Sequence, residues 1–147
     1  MAIENVSFKA NQGQITAIVG LSGGGKSTIA NLISRFWDVT EGSVKIGGVD
    51  IRDISEKDLM NHVSFVFQDI FLFKQSILDN IRMGNPNATE EQVIEAAKAA
   101  QCHEFISKLP NGYKTVFGTK GIHLSGGERQ RIAIARAIIK DSPIIVL

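Results

Sequence analysis

The chain has 147 residues, 16 basic and 15 acidic side chains, a formal net charge of +1 and 44% hydrophobic residues. That length fits one domain, and the balance excludes a disordered chain and a domain-wide field for nucleic acid. Cys102 is the one cysteine, which rules out an internal disulfide framework and a multi-cysteine metal site and suits a reducing compartment. No apolar run approaches the roughly 20 residues of a membrane span. The start, Met1 to Asn5, has neither the basic nor the apolar region of a secretory leader. A soluble chain is expected, with any membrane role supplied by another polypeptide or segment.

Taken in order, Ile3 to Phe8 partly alternates and reads as a strand. Asn11-Gln12-Gly13 is a turn, and the apolar run Gln14 to Val19 reads as a strand buried on both faces. Glycines crowd positions 20 to 25. Ile29, Leu32, Ile33 and Phe36 then recur at helical spacing. Val44 and Ile46, with Gly47-Gly48 and Val49 to Ile51, predict a hairpin. His62 to Phe67 is a further strand. From Gln75 the pattern turns helical: Ile77 and Ile81 sit four apart, and Gly84 with Pro86 ends that segment. Thr89 and Gln92 form a capping box ahead of Val93, Ala96, Ala97 and Ala100. Pro110-Asn111-Gly112 is a turn. Ser125 and Glu128 form a second capping box, opening a helix to about Lys140, and Pro143 to Leu147 begins an apolar strand. The block from about 75 to 140 is expected to be helical and inserted between strands.

Gly20-Leu21-Ser22-Gly23-Gly24-Gly25-Lys26-Ser27, followed by Thr28, satisfies G-x-x-x-x-G-K-[ST]. An apolar strand before it and a periodic helix after it are the context this loop requires. Glycines let main-chain N–H groups turn inward onto a polyphosphate, and the helix start adds its positive dipole end. Lys26 can reach the β- and γ-phosphates, and Ser27 can offer a hydroxyl to Mg²⁺.

Leu124-Ser125-Gly126-Gly127-Glu128 also puts small residues and main-chain donors at a helix start. Reciprocal capping alone could explain it. Beside a phosphate-binding loop, it is either a second contact on the same nucleotide or a contact on one held by another copy. The stripe Arg129, Arg136 and Lys140 reads as a solvated helix face rather than a nucleic-acid patch. His62, His103 and His123 read as surface or hydrogen-bonded histidines.

Gly20 to Thr28 and Leu124 to Arg131 together resemble the Walker A and signature motifs of ABC-transporter nucleotide-binding domains. Val66-Phe67-Gln68-Asp69 is similar to the Q-loop. Phe71-Leu72-Phe73, Ser76 to Ile81, Leu109 to Tyr113 and Ile132 to Ala137 resemble the exporter-type subgroup. The resemblance covers the whole chain. It implies an α/β fold, a P-loop NTPase (RecA-like) core with an antiparallel β portion and an inserted α-helical subdomain. On this pattern residues 1–147 are a partial, C-terminally truncated domain: 1–74 the ATP-binding core, 75–140 the helical subdomain with the signature motif, and 141–147 the start of the Walker B strand.

The resemblance further implies ATP with Mg²⁺, the metal held by Ser27 and Gln68, and Gln68 placed catalytically near the attacking water. It implies a head-to-tail dimer with a second nucleotide-binding domain, identical or not, in which ATP on residues 20–28 is closed over by Leu124 to Glu128 of the other domain. The loop carrying Ile70, Phe71, Leu72 and Phe73 would meet a transmembrane domain, at the cytoplasmic face of the membrane, with no nucleic acid involved. Burial of those four in the chain's own core is the competing explanation.

Glu128 stands where many members carry Gln, and Thr119 stands where exporters often carry an acid. Phe8 is not assigned the adenine-stacking role. No Asp-Glu pair occurs in the 147 residues, so the isolated chain is expected to hydrolyse ATP at background while a parent protein would be an active ATPase. Apolar surface and an unpaired edge left at the last strand are expected to make it unstable or aggregation-prone. Two alternatives stay open: a DNA- or ribosome-associated ABC ATPase without transport, and a non-hydrolysing regulatory half.

Overall fold

The computed structural model describes residues 3–118 and 122–147, so the expectation about Thr119 lies outside the described residues. The chain divides into two compact units, residues 1–60 and 61–147.

In the first unit, α1 (Lys26–Ile33) follows the glycine loop. β1 (Lys45–Ile46) and β2 (Val49–Asp50) form the predicted antiparallel hairpin, with Lys45 opposite Asp50 and Ile46 opposite Val49. A 3-10 turn (Ile51–Asp53) and α2 (Glu56–His62) follow; neither is predicted by the sequence pattern. Ile51 and Leu59 are the buried apolar side chains here. Arg35, with φ at 54°, ends α1 and sends its guanidinium to the carbonyls of Ile51 and Ile54. Phe36, expected on the helix, therefore lies beyond it.

Two strand predictions are corrected. Residues 3–8 and 14–19 carry no strand, and the run expected to be buried on both faces has Ile15 fully exposed and Val19 91% exposed. A strand holds only when a ladder partner takes its N–H and C=O groups and a second layer covers its apolar face. Among the described residues these two segments have neither. The hairpin survives because its paired residues are only three and five positions apart.

The second unit contains β3 (Val63–Phe65), α3 (Ile77–Arg82), α4 (Glu90–Ala99), α5 (His103–Ser107), α6 (Gly126–Lys140) and β4 (Ile144–Val146). β3 and β4 pair in parallel, Val63 opposite Ile144 and Phe65 opposite Val146. Parallel neighbours need a long crossover, and here all the helices from α3 to α6 lie within it. Among the described residues β4 pairs with β3 alone, and Ile145 is 45% exposed.

Helical spacing puts Ile77, Ile81, Val93, Ala96, Ala97, Ile132, Ala135 and Ile139 into one core, joined by Leu72, Cys102 and Ile106. Both predicted capping boxes form, Thr89 with Gln92 and Ser125 with Glu128. Helix does not continue throughout 75 to 140. Ile77 N donates to Thr115 O and Phe117 N to Gln75 O, so residues 115–117 run extended beside the start of α3.

Gly84 does more than stop α3. A Cβ there would lie 2.1 Å from Arg136 O and 2.8 Å from Ile139 Cγ2, so the chain after α3 touches the α6 backbone only because no side chain intervenes. Gly84→Ala should lower stability by about 1–3 kcal/mol through forced displacement, seen as a lower urea midpoint. An unchanged midpoint would contradict the close approach. Cys102 is fully buried, its Sγ donating to Ala97 O, and burial pushes the thiol pKa up to about 11. It should resist maleimide at pH 8 in the native chain and react once urea unfolds it, because the thiolate is the nucleophile.

Candidate nucleotide site

The glycine loop is built by backbone conformations that a side chain would resist. Gly23 and Gly25 have φ of 78° and 82°, the left-handed region that glycine enters freely. Between them, Gly24 N donates to Leu21 O at 3.1 Å, and a Cβ on Gly24 would stand 3.0 Å from that same oxygen. Gly25 is the N-cap of α1 and gives no side-chain cap. The first bond entering the helix runs from Ile29 N to Gly25 O. The N–H groups of Lys26, Ser27 and Thr28 lie ahead of it, unclaimed by the helix ladder.

Lys26 Nζ donates to Gly20 O at 3.0 Å and Leu21 O at 2.8 Å, folding back across its own loop. An ammonium has three donors, so one remains for an outside acceptor. Ser27 is exposed at the second position of α1. Left-handed glycines, unclaimed main-chain donors, one cation and one hydroxyl make a donor set that fits phosphate oxygens.

The second glycine-opened start is wired differently. Glu128 accepts from Ser125 N at 2.7 Å and Ser125 Oγ at 2.8 Å, and Glu128 N donates to Ser125 Oγ at 3.2 Å. With Arg129 N donating to Ser125 O, the helix itself leaves the N–H groups of Gly126 and Gly127 unused. Both glycines are exposed, neither has a positive φ, and nothing lies within 4 Å of where their Cβ atoms would be. Nothing inside this unit requires glycine at these two positions. Leu124 packs partly against the helical core and anchors the entry.

Gln68 is exposed in the bend beyond β3, where Val66 N still donates to Val146 O. The apolar run after it divides. Leu72 is buried in the helical core, Ile70 is partly buried, and Phe71 and Phe73 stay outside, 67% and 41% exposed. Their rings meet edge-on at 4.8 Å. Core burial thus accounts for half of the run. Residues 20–28 belong to the first unit, and Gln68 and Leu124 to Glu128 to the second.

The stripe expectation is overturned: Arg136 and Lys140 bond inward, and Arg129 Nε is itself buried. Arg136 Nε donates to Asn80 O at 2.8 Å, and Lys140 Nζ donates to Val63 O at 2.8 Å. Each carries its charge inward along an aliphatic stem to satisfy backbone carbonyls. Burial lowers the pKa of both groups. Among the histidines, His103 Nδ1 is 2.9 Å from Tyr113 Oη, while His62 and His123 are exposed.

Sequence reasoning missed Asn80, which is completely buried and hydrogen-bonded to both the loop after Gln68 and Arg136. A signal was present: Ile77, Asn80 and Ile81 fall at i, i+3 and i+4, placing an amide on the apolar stripe. Among the described residues, no three His, Cys, Asp or Glu side chains gather as a metal cluster, and no helix is long and apolar enough to cross a membrane.

The ABC transporter family model matches residues 3–147. The β-(1→2)glucan export ATP-binding/permease protein NdvA of Brucella suis is 52% identical over 145 residues, 99% of this chain and 24% of that protein. The ATP-dependent lipid A-core flippase of Syntrophus aciditrophicus is 48% identical, again over 99% of this chain and 24% of its own length. ABC transporter B family member 4 of Dictyostelium discoideum is 49% identical, with 19% of its length covered. This chain thus spans a quarter or less of these curated relatives. With the family pattern running across nearly all of its residues, the chain belongs to the ABC transporter family.

Proposed function

We propose that this chain is the ATP-binding and hydrolysing part of an exporter, the nucleotide-binding domain that powers transport through a permease. The observation that carries this reading is the pair of glycine-opened helix starts with main-chain donors that neither helix uses. Gly20 to Thr28 would enclose the triphosphate, with Lys26 releasing its hold on Gly20 O and Leu21 O as phosphate oxygens replace them. Gly126 and Gly127 have no internal explanation, which supports an external one. In a head-to-tail pair they would cover ATP held by the other domain. Two such contacts, related by a two-fold axis, close into a dimer.

Ser27 and Gln68 would hold Mg²⁺, which would offset phosphate charge when bound. Gln68 would also orient the attacking water. Phe71 and Phe73, set outside the core next to Gln68, suit contact with the transmembrane partner at the cytoplasmic face of a membrane. In this reading residues 1–74 form the ATP-binding core, 75–140 the helical subdomain and 141–147 the opening of the Walker B strand. Engagement of Arg136 and Lys140 inside the second unit favours it over a nucleic-acid role.

Magnesium-ATP binding, measured by calorimetry on the chain within its membrane assembly, tests the proposal. Lys26→Ala should weaken binding by at least about tenfold, the scale of losing one charge-assisted phosphate contact. Binding indifferent to Lys26, or none at all, would refute it.

A further inference from the structure

Asn80 and Arg136 stand 56 positions apart in the chain and meet where the loop leaving Gln68, α3 and α6 converge. Asn80 Oδ1 accepts from Phe73 N at 2.9 Å and from Arg136 Nη2 at 3.1 Å. Its Nδ2 donates to Phe73 O and Ser76 O, both at 3.0 Å. Arg136 adds a bond from Nη1 to Phe71 O at 3.3 Å. One buried amide thus closes the loop's exit from Phe73 to Ser76. One guanidinium then ties that exit, and Phe71 before it, to the helix that begins with Gly126 and Gly127.

A second link reinforces the first. The bonds from Ile77 N to Thr115 O and from Phe117 N to Gln75 O bind the start of α3 to residues 115–117, in the connection that leads toward Leu124. Residues 115–117 and the middle of α6 are therefore both fastened to the same short segment, 73–77. An apolar residue at position 80 would fill a core position without demanding partners. A buried amide is tolerated only when its partners are in place, and they fix its geometry.

We propose that Asn80 is a positioning residue, the joint that holds the Gln68 loop and the glycine start of α6 in one fixed relation. A push on Phe71 and Phe73 then moves Ser125 to Gly127 with it instead of being absorbed in the loop. The inference rests on the proposed function, because only there do Gln68 and Ser125 to Gly127 face ATP. It assigns no contact with nucleotide to Asn80 or Arg136. Their effect is on the alignment of groups that make such contacts, and hence on turnover more than on binding.

The test uses the assembled exporter carrying Asn80→Ala, Arg136→Lys and both together, with ATP affinity, KM, kcat and the unfolding midpoint measured for each. Arg136→Lys keeps the cation and leaves the bonds from Asn80 to Phe73 and Ser76 in place, so it carries the test if Asn80→Ala does not fold. Each single variant should lower kcat about tenfold while ATP affinity stays within about twofold, and the double variant should lose no more than the worse single one. Losses that multiply in the double variant, or a raised KM with kcat intact, would overturn the joint. So would a fall in kcat no larger than the loss of folded protein. A wild-type assembly without Lys26-dependent hydrolysis would instead bring down the proposed function, and the joint with it.

Discussion

Burying a side-chain amide on the same helical stripe as Ile77 and Ile81 is unfavourable unless its donors and acceptors find partners, and Asn80 finds them in the main chain of the Gln68 loop and in Arg136. That requirement sets the geometry of the second unit. It fixes where Phe73 and Ser76 lie and directs Arg136 inward, and the chain after α3 then passes so close to α6 that position 84 must be glycine. Lys140 extends the same logic to the far end of α6 by donating to Val63 O of β3. Ser142 adds to it, its hydroxyl donating to Asn61 O and accepting from Ser64 Oγ. α6 is thus bonded to the loop exit at Arg136 and to the β3–β4 pair at Lys140.

The two glycine-opened helix starts show how similar sequence signals acquire different wiring. At Gly25 no side chain caps the helix, and Lys26 turns back over its own loop. At Ser125 a reciprocal box with Glu128 satisfies the cap from within, leaving the next two N–H groups outside it. The first arrangement suits wrapping an anion, because the donors come from a curved loop. The second suits a flat approach from outside, because the helix end is already stable without a ligand. Glu128 serves the box here where Gln would serve equally, since either side chain can accept from Ser125 N.

Local signals were legible in the sequence, and long-range ones were not. Thr89 with Gln92 and Ser125 with Glu128 announce helix starts because the partners are three residues apart. The hairpin at Gly47-Gly48 is similarly local. Ile3 to Phe8 and Gln14 to Val19 have strand-like patterns, but pattern alone supplies no ladder partner, and both remain open chain. Arg136 and Lys140 show the opposite failure. Helical spacing puts them on a polar stripe with Arg129, yet their acceptors come from residues 56 and 77 positions away. Only tertiary structure could turn a stripe of cations into internal fasteners. The glycine-opened helix starts were readable because each is a contiguous run.

If the Asn80 joint governs the second unit, α3 and α6 are a single cooperative element rather than two helices in contact. Native-state hydrogen exchange tests this directly. Amides in residues 77–83 and 132–139 should open together, with one free energy and one denaturant dependence. Exchange of 77–83 at a clearly lower opening free energy, while 132–139 stays protected, would contradict it.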